Sequence, residues 1–150
     1  MDLFEHAGAG WRIRPHTKDD AEAIVSVFCD CLEDFPLRKS RLVQEVERIH
    51  YLLGTSTILV AEEESAGVVG FLILQAEAAY VSHLFVHRDW RFCGVGSGLL
   101  QVGRVMAGQR LRLDVDVDNM EAIFAYEHLG WKQTVNQGRP GVGQMRLISP

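Results

Sequence analysis

The segment that most constrains the fold runs from residue 79 to residue 100, where a strand-like stretch leads through a glycine turn into a helix. The apolar stretch ends at Val86, and the turn after it reads Arg91-Phe92-Cys93-Gly94-Val95-Gly96. Where a loop becomes a helix, backbone N–H groups lack intrahelical partners, and the helix dipole favours an anion beside them. Glycine has no Cβ to keep an anion away, and Arg91 adds a planar cation suited to phosphate. The expected ligand is a pyrophosphate.

Two other phosphate-binding motifs do not fit this glycine turn. A dinucleotide-binding turn needs G-x-G-x-x-G near the start of a strand–helix–strand unit. Here the third glycine is Gly98, position 99 is leucine, and the turn lies two-thirds of the way along the chain. A P-loop needs Gly-Lys followed by Ser or Thr, a sequence that the chain lacks. A glycine-rich helix start that binds no ligand is left as the alternative.

A second motif follows downstream, Asn119-x-x-Ala122-x-x-x-Tyr126-x-x-x-Gly130-Trp131. Together with Leu84-Phe85-Val86 and Arg91-x-x-Gly94-x-Gly96, it resembles the GCN5-related N-acetyltransferase (GNAT) family. In that family a Leu-x-Val strand runs into Arg/Gln-x-x-Gly-x-Gly/Ala at a helix start. The downstream positions hold Asn, Ala, Tyr, Gly and an aromatic residue. The resemblance covers roughly residues 11 to 148.

The resemblance implies an α/β (α+β) fold with a mixed, mostly antiparallel central sheet flanked by helices, in the order β-α-α-β-β-β-α-β-α-β-β. Hydrophobic periodicity predicts elements in that order. Four helices are predicted: one that ends near Glu33, one over about 38–53, one that follows Gly96, and one from about 118 to 130. The predicted strands are 11–14, 57–62, 68–75, 79–86, 111–117, 131–135 and 143–148. Residues 1–150 are expected to form a single N-acetyltransferase domain, with residues 1–10 as a flexible leader.

Composition excludes several partners and compartments. A net charge of −5 argues against nonspecific binding to nucleic acid or to an anionic membrane. The sequence has no secretory apolar region at its start and no stretch near the roughly 20 apolar residues of a membrane span. Three cysteines do not form a disulfide framework, so we expect a reducing cytoplasm. Asp114 and Asp116 lack a third ligand and are interpreted as a polar strand face, so no metal is expected.

The resemblance implies acetyl-CoA as co-substrate and an amine of a small molecule, protein or peptide as acceptor. The backbone around Phe85 and Val86 is expected to pair with the pantetheine arm like an added strand. A strand that splays away from its neighbour beyond that point would leave a slot for the arm. The predicted cofactor-binding residues are Leu84, Phe85, Val86, Arg91, Phe92, Cys93, Gly94, Val95, Gly96, Ser97 and Asn119. Asn119 also suits a helix start without any cofactor contact.

Two residues are predicted to be catalytic. The resemblance assigns Tyr126 as the general acid that protonates the departing thiolate; the alternative is a tyrosine with a buried ring and a solvated hydroxyl. Many relatives carry a glutamate base on the strand before the turn, but Tyr80-Val81-Ser82-His83 contains no carboxylate. His83 titrates near neutrality in an ordinary setting and lies close to the expected acetyl end, so it is the candidate base. A purely structural histidine is the alternative.

An acyl-CoA-binding sensor or regulatory module of the same fold is the rival to an enzyme. Tyr126 favours the enzyme, whereas the missing strand glutamate favours the module. The acceptor, the length of the acyl group and the oligomeric state are left open, with a homodimer as one option. Specificity is expected to reside in the two N-terminal helices and in the loop over residues 136–143.

Overall fold

The computed structural model describes residues 4–6, 10–134 and 140–150, with only the backbone of residues 4–6. In chain order the strands are β1 (Phe4–His6), β2 (Trp11–Pro15), β3 (Thr57–Glu63), β4 (Gly67–Gln75), β5 (Tyr80–Val86), β6 (Arg112–Asp116), β7 (Lys132–Gln133) and β8 (Gln144–Ile148). Within the described ranges these eight strands form one sheet in the order β1-β2-β3-β4-β5-β6-β8-β7. Only β5 and β6 pair in parallel. The predicted mixed, mostly antiparallel sheet is confirmed.

The helices are α1 (Ala21–Leu32), α2 (Pro36–Lys39), α3 (Leu42–Leu53), α4 (Val95–Ala107) and α5 (Met120–His128). The single helix predicted over about 38–53 is wrong, because the chain breaks between α2 and α3. The Ser40 hydroxyl donates to the Leu37 carbonyl at 2.7 Å, and Arg41 leaves the helical region with φ −115° and ψ 33°. A serine that bonds the preceding turn competes with the helix backbone, which explains the break.

The leader expected over residues 1–10 is contradicted at Phe4–His6, which form β1. This strand pairs antiparallel with β2, from Phe4 opposite Ile13 to His6 opposite Trp11. Gly10 has a φ of +76°, a conformation that glycine adopts without steric cost. The segment has no strand periodicity of its own, so its pairing depends on the free edge of β2, which local sequence does not reveal.

Two apolar cores lie on opposite faces of the sheet. The face that packs on α4 and α5 buries Trp11, Leu72, Leu99 and Leu113, among others. The other face packs on α1 and α3 around Phe28, Ile49, Val60, Phe71 and Ile73. The sheet is therefore covered on both sides by helices.

A separation between two neighbouring strands occurs at β5 and β6. Ile73 of β4 pairs with His83 and Leu74 pairs with Val81, so Ser82 is an extra residue that forms a β-bulge. Bulges bend a strand and increase its twist. The pairing of β5 with β6 is limited to Tyr80 and Arg112. Beyond that pair the two strands diverge and leave a cleft, which is the splay that the pantetheine slot requires.

Candidate active site

The cleft between β5 and β6 has a volume of about 150 Å³ and opens to solvent. Its walls come from β5, β6, β8, α5 and the segment around α2. The lining residues are Phe35, Arg38, Val81, Ser82, His83, Leu84, Phe85, Leu113, Asp114, Val115, Asp116, Asn119, Ala122, Tyr126 and Gln144. The structure thus brings together both predicted catalytic residues, Tyr126 and His83, with Leu84, Phe85 and Asn119.

The edge of β5 that faces the cleft carries peptide groups without a strand partner. The His87 N–H donates to the Val69 carbonyl at 2.8 Å, so it points at β4. Because peptide groups alternate along a strand, those of Leu84 and Val86 point away from β4 and into the cleft. The Val86 carbonyl accepts from Arg91 Nε at 3.2 Å and from Cys31 Sγ at 3.4 Å. An unpaired strand edge of this kind is a template for an extended ligand.

The glycine turn ends in an open helix N-terminus, as predicted. Gly94 has a φ of +85°, and the first main-chain bond of α4 joins the Gly98 N–H to the Gly94 carbonyl at 2.9 Å. The N–H groups of Val95, Gly96 and Ser97 precede that bond and have no partner within the helix. A Cβ at Gly96 would lie 3.8 Å from Val86, in ordinary contact, so the turn itself has room beside it. This arrangement fits a pyrophosphate.

The side chains of the turn point in different directions. Phe92 has a φ of +64°, unusual for a bulky residue, and its side chain is 96% exposed. The Cys93 thiol is also exposed. Val95 is 1% exposed and packs in the core, so any contact it makes with a ligand must come from its N–H.

Arg91 does not point at the helix N-terminus. Its Nη1 lies 3.3 Å from Asp34 Oδ2 just after α1, and its Nη2 lies 3.9 Å from Cys31 Sγ. The guanidinium therefore ties the end of α1 to the end of β5. A contact between Arg91 and phosphate stays a prediction.

Gly98, the third glycine of the run, has a packing role. A Cβ there would lie 2.9 Å from Trp11 Cη2 and 3.0 Å from Ile13 Cδ1, closer than side chains approach. Strand β2 thus packs directly against α4 at this point, and the start of the helix is held close to the sheet.

Tyr126 and Asn119 lie on α5, opposite β5. The Tyr126 ring packs against Trp131 with ring centroids 5.3 Å apart, and burial raises the pKa of its hydroxyl to about 12. The phenol therefore keeps its proton at neutral pH. Among the described residues its hydroxyl has no hydrogen-bond partner. Asn119 is the N-cap of α5, and its Oδ1 accepts from the Ala122 N–H at 3.3 Å, so it lines the cleft and starts the helix.

His83 does not titrate near neutrality, contrary to the expectation from sequence. It is 4% exposed, and its ring lies 5.9 Å from that of Phe28. Burial, helped by the positive charges of Arg38 and Arg48, lowers its pKa to about 4. Nδ1 lies 2.9 Å from Ser82 Oγ, whereas the buried Nε2 has no partner. The imidazole is neutral at pH 7 and is a weaker base than an exposed histidine.

The acidic side chains of β6 are held by neighbouring polar groups. Asp114 is paired with Arg146, whose Nε and Nη2 lie 2.8 and 2.9 Å from its two oxygens, and it accepts from the Tyr80 hydroxyl at 3.0 Å. Asp116 accepts from the Gln144 amide at 3.2 Å. This agrees with a polar strand face. In the part of the chain that the structure describes, no group of three His, Cys, Asp or Glu residues could hold a metal ion.

Sequence reasoning missed three contributors to the site. The bulge at Ser82 has no sequence signal, because it depends on the register with β4. Phe35 and Arg38 belong to the N-terminal segment in which specificity was expected, but no spacing singled them out. The other expected specificity element, the loop over residues 136–143, lies outside the described residues for 136–139.

Solved structures with a similar fold include acetyltransferases from several organisms. The PaiA N-acetyltransferase of Thermoplasma acidophilum in complex with coenzyme A has a TM-score of 0.76 at 17% identity, over 93% of this chain and 98% of that one. YjaB of Escherichia coli, in its apo form, has a TM-score of 0.72 at 24% identity, covering 92% and 96%. A histone acetyltransferase HPA2 and related acetyltransferase from Corynebacterium glutamicum has a TM-score of 0.68 at 18% identity, covering 100% and 97%.

These structural similarities establish the fold, and a match to a family model assigns the chain to a family. No curated protein matches the sequence. Among the described helices, none has the length and apolar character needed to cross a membrane. The model of the acetyltransferase (GNAT) domain matches residues 54–133, just over half of the chain, including β5, the glycine turn and α5. The chain therefore belongs to the GNAT family and is an N-acetyltransferase that uses acetyl-CoA.

Proposed function

We propose that the protein transfers an acetyl group directly from acetyl-CoA to a primary amine of a small molecule, protein or peptide. The observation that carries the proposal is the cleft that the Ser82 bulge opens between β5 and β6. One wall offers an unpaired strand edge, the phosphate-binding turn follows that strand, and a protonated phenol lines the opposite wall. These are the groups that binding and transfer require.

The cofactor is held mainly by backbone groups. The cleft-facing peptide groups of Leu84 and the N–H of Val86 bind the pantetheine arm like an added strand. The N–H groups of Val95, Gly96 and Ser97 bind the pyrophosphate at the start of α4, where the helix dipole also favours a negative charge. The room beside Gly96 supports this position.

Tyr126 acts as the general acid. Acetyl-CoA, when bound, supplies an acetyl group activated as a thioester. The phenol, whose pKa is raised to about 12, is protonated across the physiological range and directs its O–H at the sulfur. As the amine nitrogen bonds to the acetyl carbon and the carbon–sulfur bond breaks, Tyr126 would donate its proton to the departing thiolate, and the proton that the amine releases would restore the phenol through solvent. The absence of a competing hydrogen bond among the described residues leaves the hydroxyl free for this contact.

The acceptor side favours an uncharged amine. Burial and the guanidinium groups that lower the pKa of His83 also disfavour an ammonium ion beside it. An amine that enters this position therefore releases its proton more readily than it does in water. His83 lines this position, and its buried Nε2 has no partner among the described residues. In this proposal His83 orients the acceptor and accepts a proton only transiently.

Two measurements test the proposal together. Acetyl-CoA or CoA raises the melting temperature, because ligand at one hundred times Kd adds about 2.7 kcal/mol to the unfolding free energy. ATP at the same concentration raises the melting temperature much less. Thiol is then released from acetyl-CoA in the presence of primary amines, and not of matched alcohols. An equal shift with ATP contradicts the cofactor site. A CoA-specific shift without thiol release on any amine favours a regulatory module.

A further inference from the structure

The charge at the acceptor end of the cleft is opposite in sign to that of the whole chain. The chain carries a net charge of −5. Around His83, however, the nearby charged groups from α2 and α3 are Arg38, Arg48 and Glu45, which sum to one positive charge. On the β6 side the charge of Asp114 is already balanced by Arg146. Asp116, which also lines the cleft from β6, accepts only from the neutral Gln144 amide and keeps its negative charge, so the excess of positive charge is confined to the side formed by α2 and α3.

Arg38 is the cation that lines the cleft, and its guanidinium is held in place. Its Cζ lies 5.4 Å from the centre of the Phe85 ring and 5.8 Å from that of Phe28. On one edge Nη2 lies 3.2 Å from Glu45 Oε2, and Nε lies 3.5 Å from Oε1. Within the described residues Nη1 has no partner, and the side chain is 31% exposed. A stacked guanidinium with one free edge is well suited to a carboxylate.

The distance between Arg38 and His83 limits the size of the ligand. The Phe85 ring centre lies 5.4 Å from the Arg38 guanidinium and 6.1 Å from the His83 ring. Arg38 and His83 therefore lie beside the same ring, close enough for one small molecule in the cleft to place an anionic group at Arg38 and an amine at His83. Phe35 adds a further apolar surface to the wall.

We infer that the acceptor is an apolar α-amino acid, with its carboxylate bound by Arg38, its amine beside His83 Nε2, and its side chain against the phenylalanine rings. This inference rests on the proposed function and narrows it to one substrate class. Arg38 is then the residue that sets specificity, since it selects for a negative charge next to the amine.

The test compares amino acids with their amides, which lose only the negative charge. Values of kcat/KM are measured for phenylalanine against phenylalaninamide and for leucine against leucinamide. The wild type prefers the acids by about 10- to 100-fold, the range expected for a hydrogen bond between two charged groups. In Arg38→Gln the preference disappears, because kcat/KM falls much further for the acids than for the amides. Arg38→Lys, which keeps the charge and loses the planar fork, has a preference between the two.

Arg41→Gln is the matched control, because it removes the same charge from an exposed residue three positions away that does not line the cleft. It keeps the full preference. The amine of an amide is less basic than that of the acid, so a larger fraction of it is uncharged at neutral pH, which favours the amide and opposes the expected preference for the acid. This difference in basicity is the same for every variant, so it cancels when the preferences of two variants are compared. Equal use of acids and amides by the wild type, or an equal loss of both in a folded Arg38→Gln, overturns the inference and leaves amine acetylation standing. A wild type that binds acetyl-CoA and acetylates neither series contradicts both.

Discussion

The proposed cofactor side of the cleft and its proposed acceptor side are built from different kinds of chain segment. The cofactor side, comprising β5 from Leu84, the glycine turn and the start of α4, is one continuous stretch that offers mainly peptide groups. The acceptor side gathers side chains from Phe35, Arg38 and His83, which are distant in sequence. A site made of backbone depends on glycine spacing and is visible in a motif. A site made of converging side chains changes with each substitution, which allows one cofactor to serve many acceptors.

Replacement of Tyr126 by Phe tests the chemistry at the point where the two sides meet. It removes one hydroxyl and keeps the ring packing against Trp131. We expect kcat to fall by roughly 10- to 1000-fold, while KM for acetyl-CoA stays near the wild-type value. Steady-state kinetics measure both, and Tyr51→Phe, on an exposed residue of α3, is the matched control. Full kcat on a substrate whose chemical step limits the rate would remove Tyr126 from the mechanism.

The acceptor side is expected to make stability depend on pH through His83. Its folded pKa of about 4 lies below the unfolded value of about 6.5, so the unfolded chain binds the proton more tightly. The contribution of the neutral His83 imidazole to the unfolding free energy is complete above pH 6.5 and is lost as the pH falls towards 4. We expect His83→Gln to lessen the loss of unfolding free energy between pH 7.5 and pH 4.5 by about 2 to 3 kcal/mol. Urea unfolding at both values measures it; identical pH dependence in the variant would contradict the buried, neutral imidazole.

The cofactor side is tested by Gly96→Val. The Cβ has room beside Val86, so the fold is retained, but the branched side chain blocks the anion position. We expect Kd for acetyl-CoA to rise about 10- to 100-fold, which corresponds to the loss of about 1.4 to 2.8 kcal/mol of charge-assisted hydrogen bonding. Calorimetric titration measures the change. Unchanged affinity in a folded variant would mean that the phosphates bind elsewhere.

Gly98→Ala, two residues further along α4, is the contrasting variant. Its Cβ would overlap Trp11 and Ile13, so we expect a loss of about 1 to 3 kcal/mol of unfolding free energy. Once the variant is folded, its affinity for acetyl-CoA is expected to stay within a few-fold of the wild type. A variant with normal stability and weak cofactor binding would reverse the roles assigned to the two glycines.

The sequence predicts the strand and the helix start of the proposed cofactor side well, because their signals are local. Alternating apolar residues mark β5, and Gly94 and Gly96 mark the helix start that the structure contains. The acceptor side was predicted poorly, since the low pKa of His83 arises from burial and from arginines more than 30 positions away. The direction of Arg91 was missed for the same reason, because its partner Asp34 lies on another segment.

The β-bulge at Ser82 has a consequence for how such a site can arise or disappear. Val81 faces the α4 core, whereas His83, only two positions later, faces α1, because one inserted residue shifts the alternation of the strand. Deletion of that residue would exchange the two faces for everything from His83 to Val86, turning the imidazole and Phe85 towards α4. Whether β5 presents residues for acetyl-CoA and for the acceptor on the proposed faces therefore depends on the alternation of side chains along this one strand. Point substitutions leave this alternation unchanged and do not test it. Deletion of the single residue Ser82 would change the alternation and disrupt the proposed cofactor side and acceptor side together.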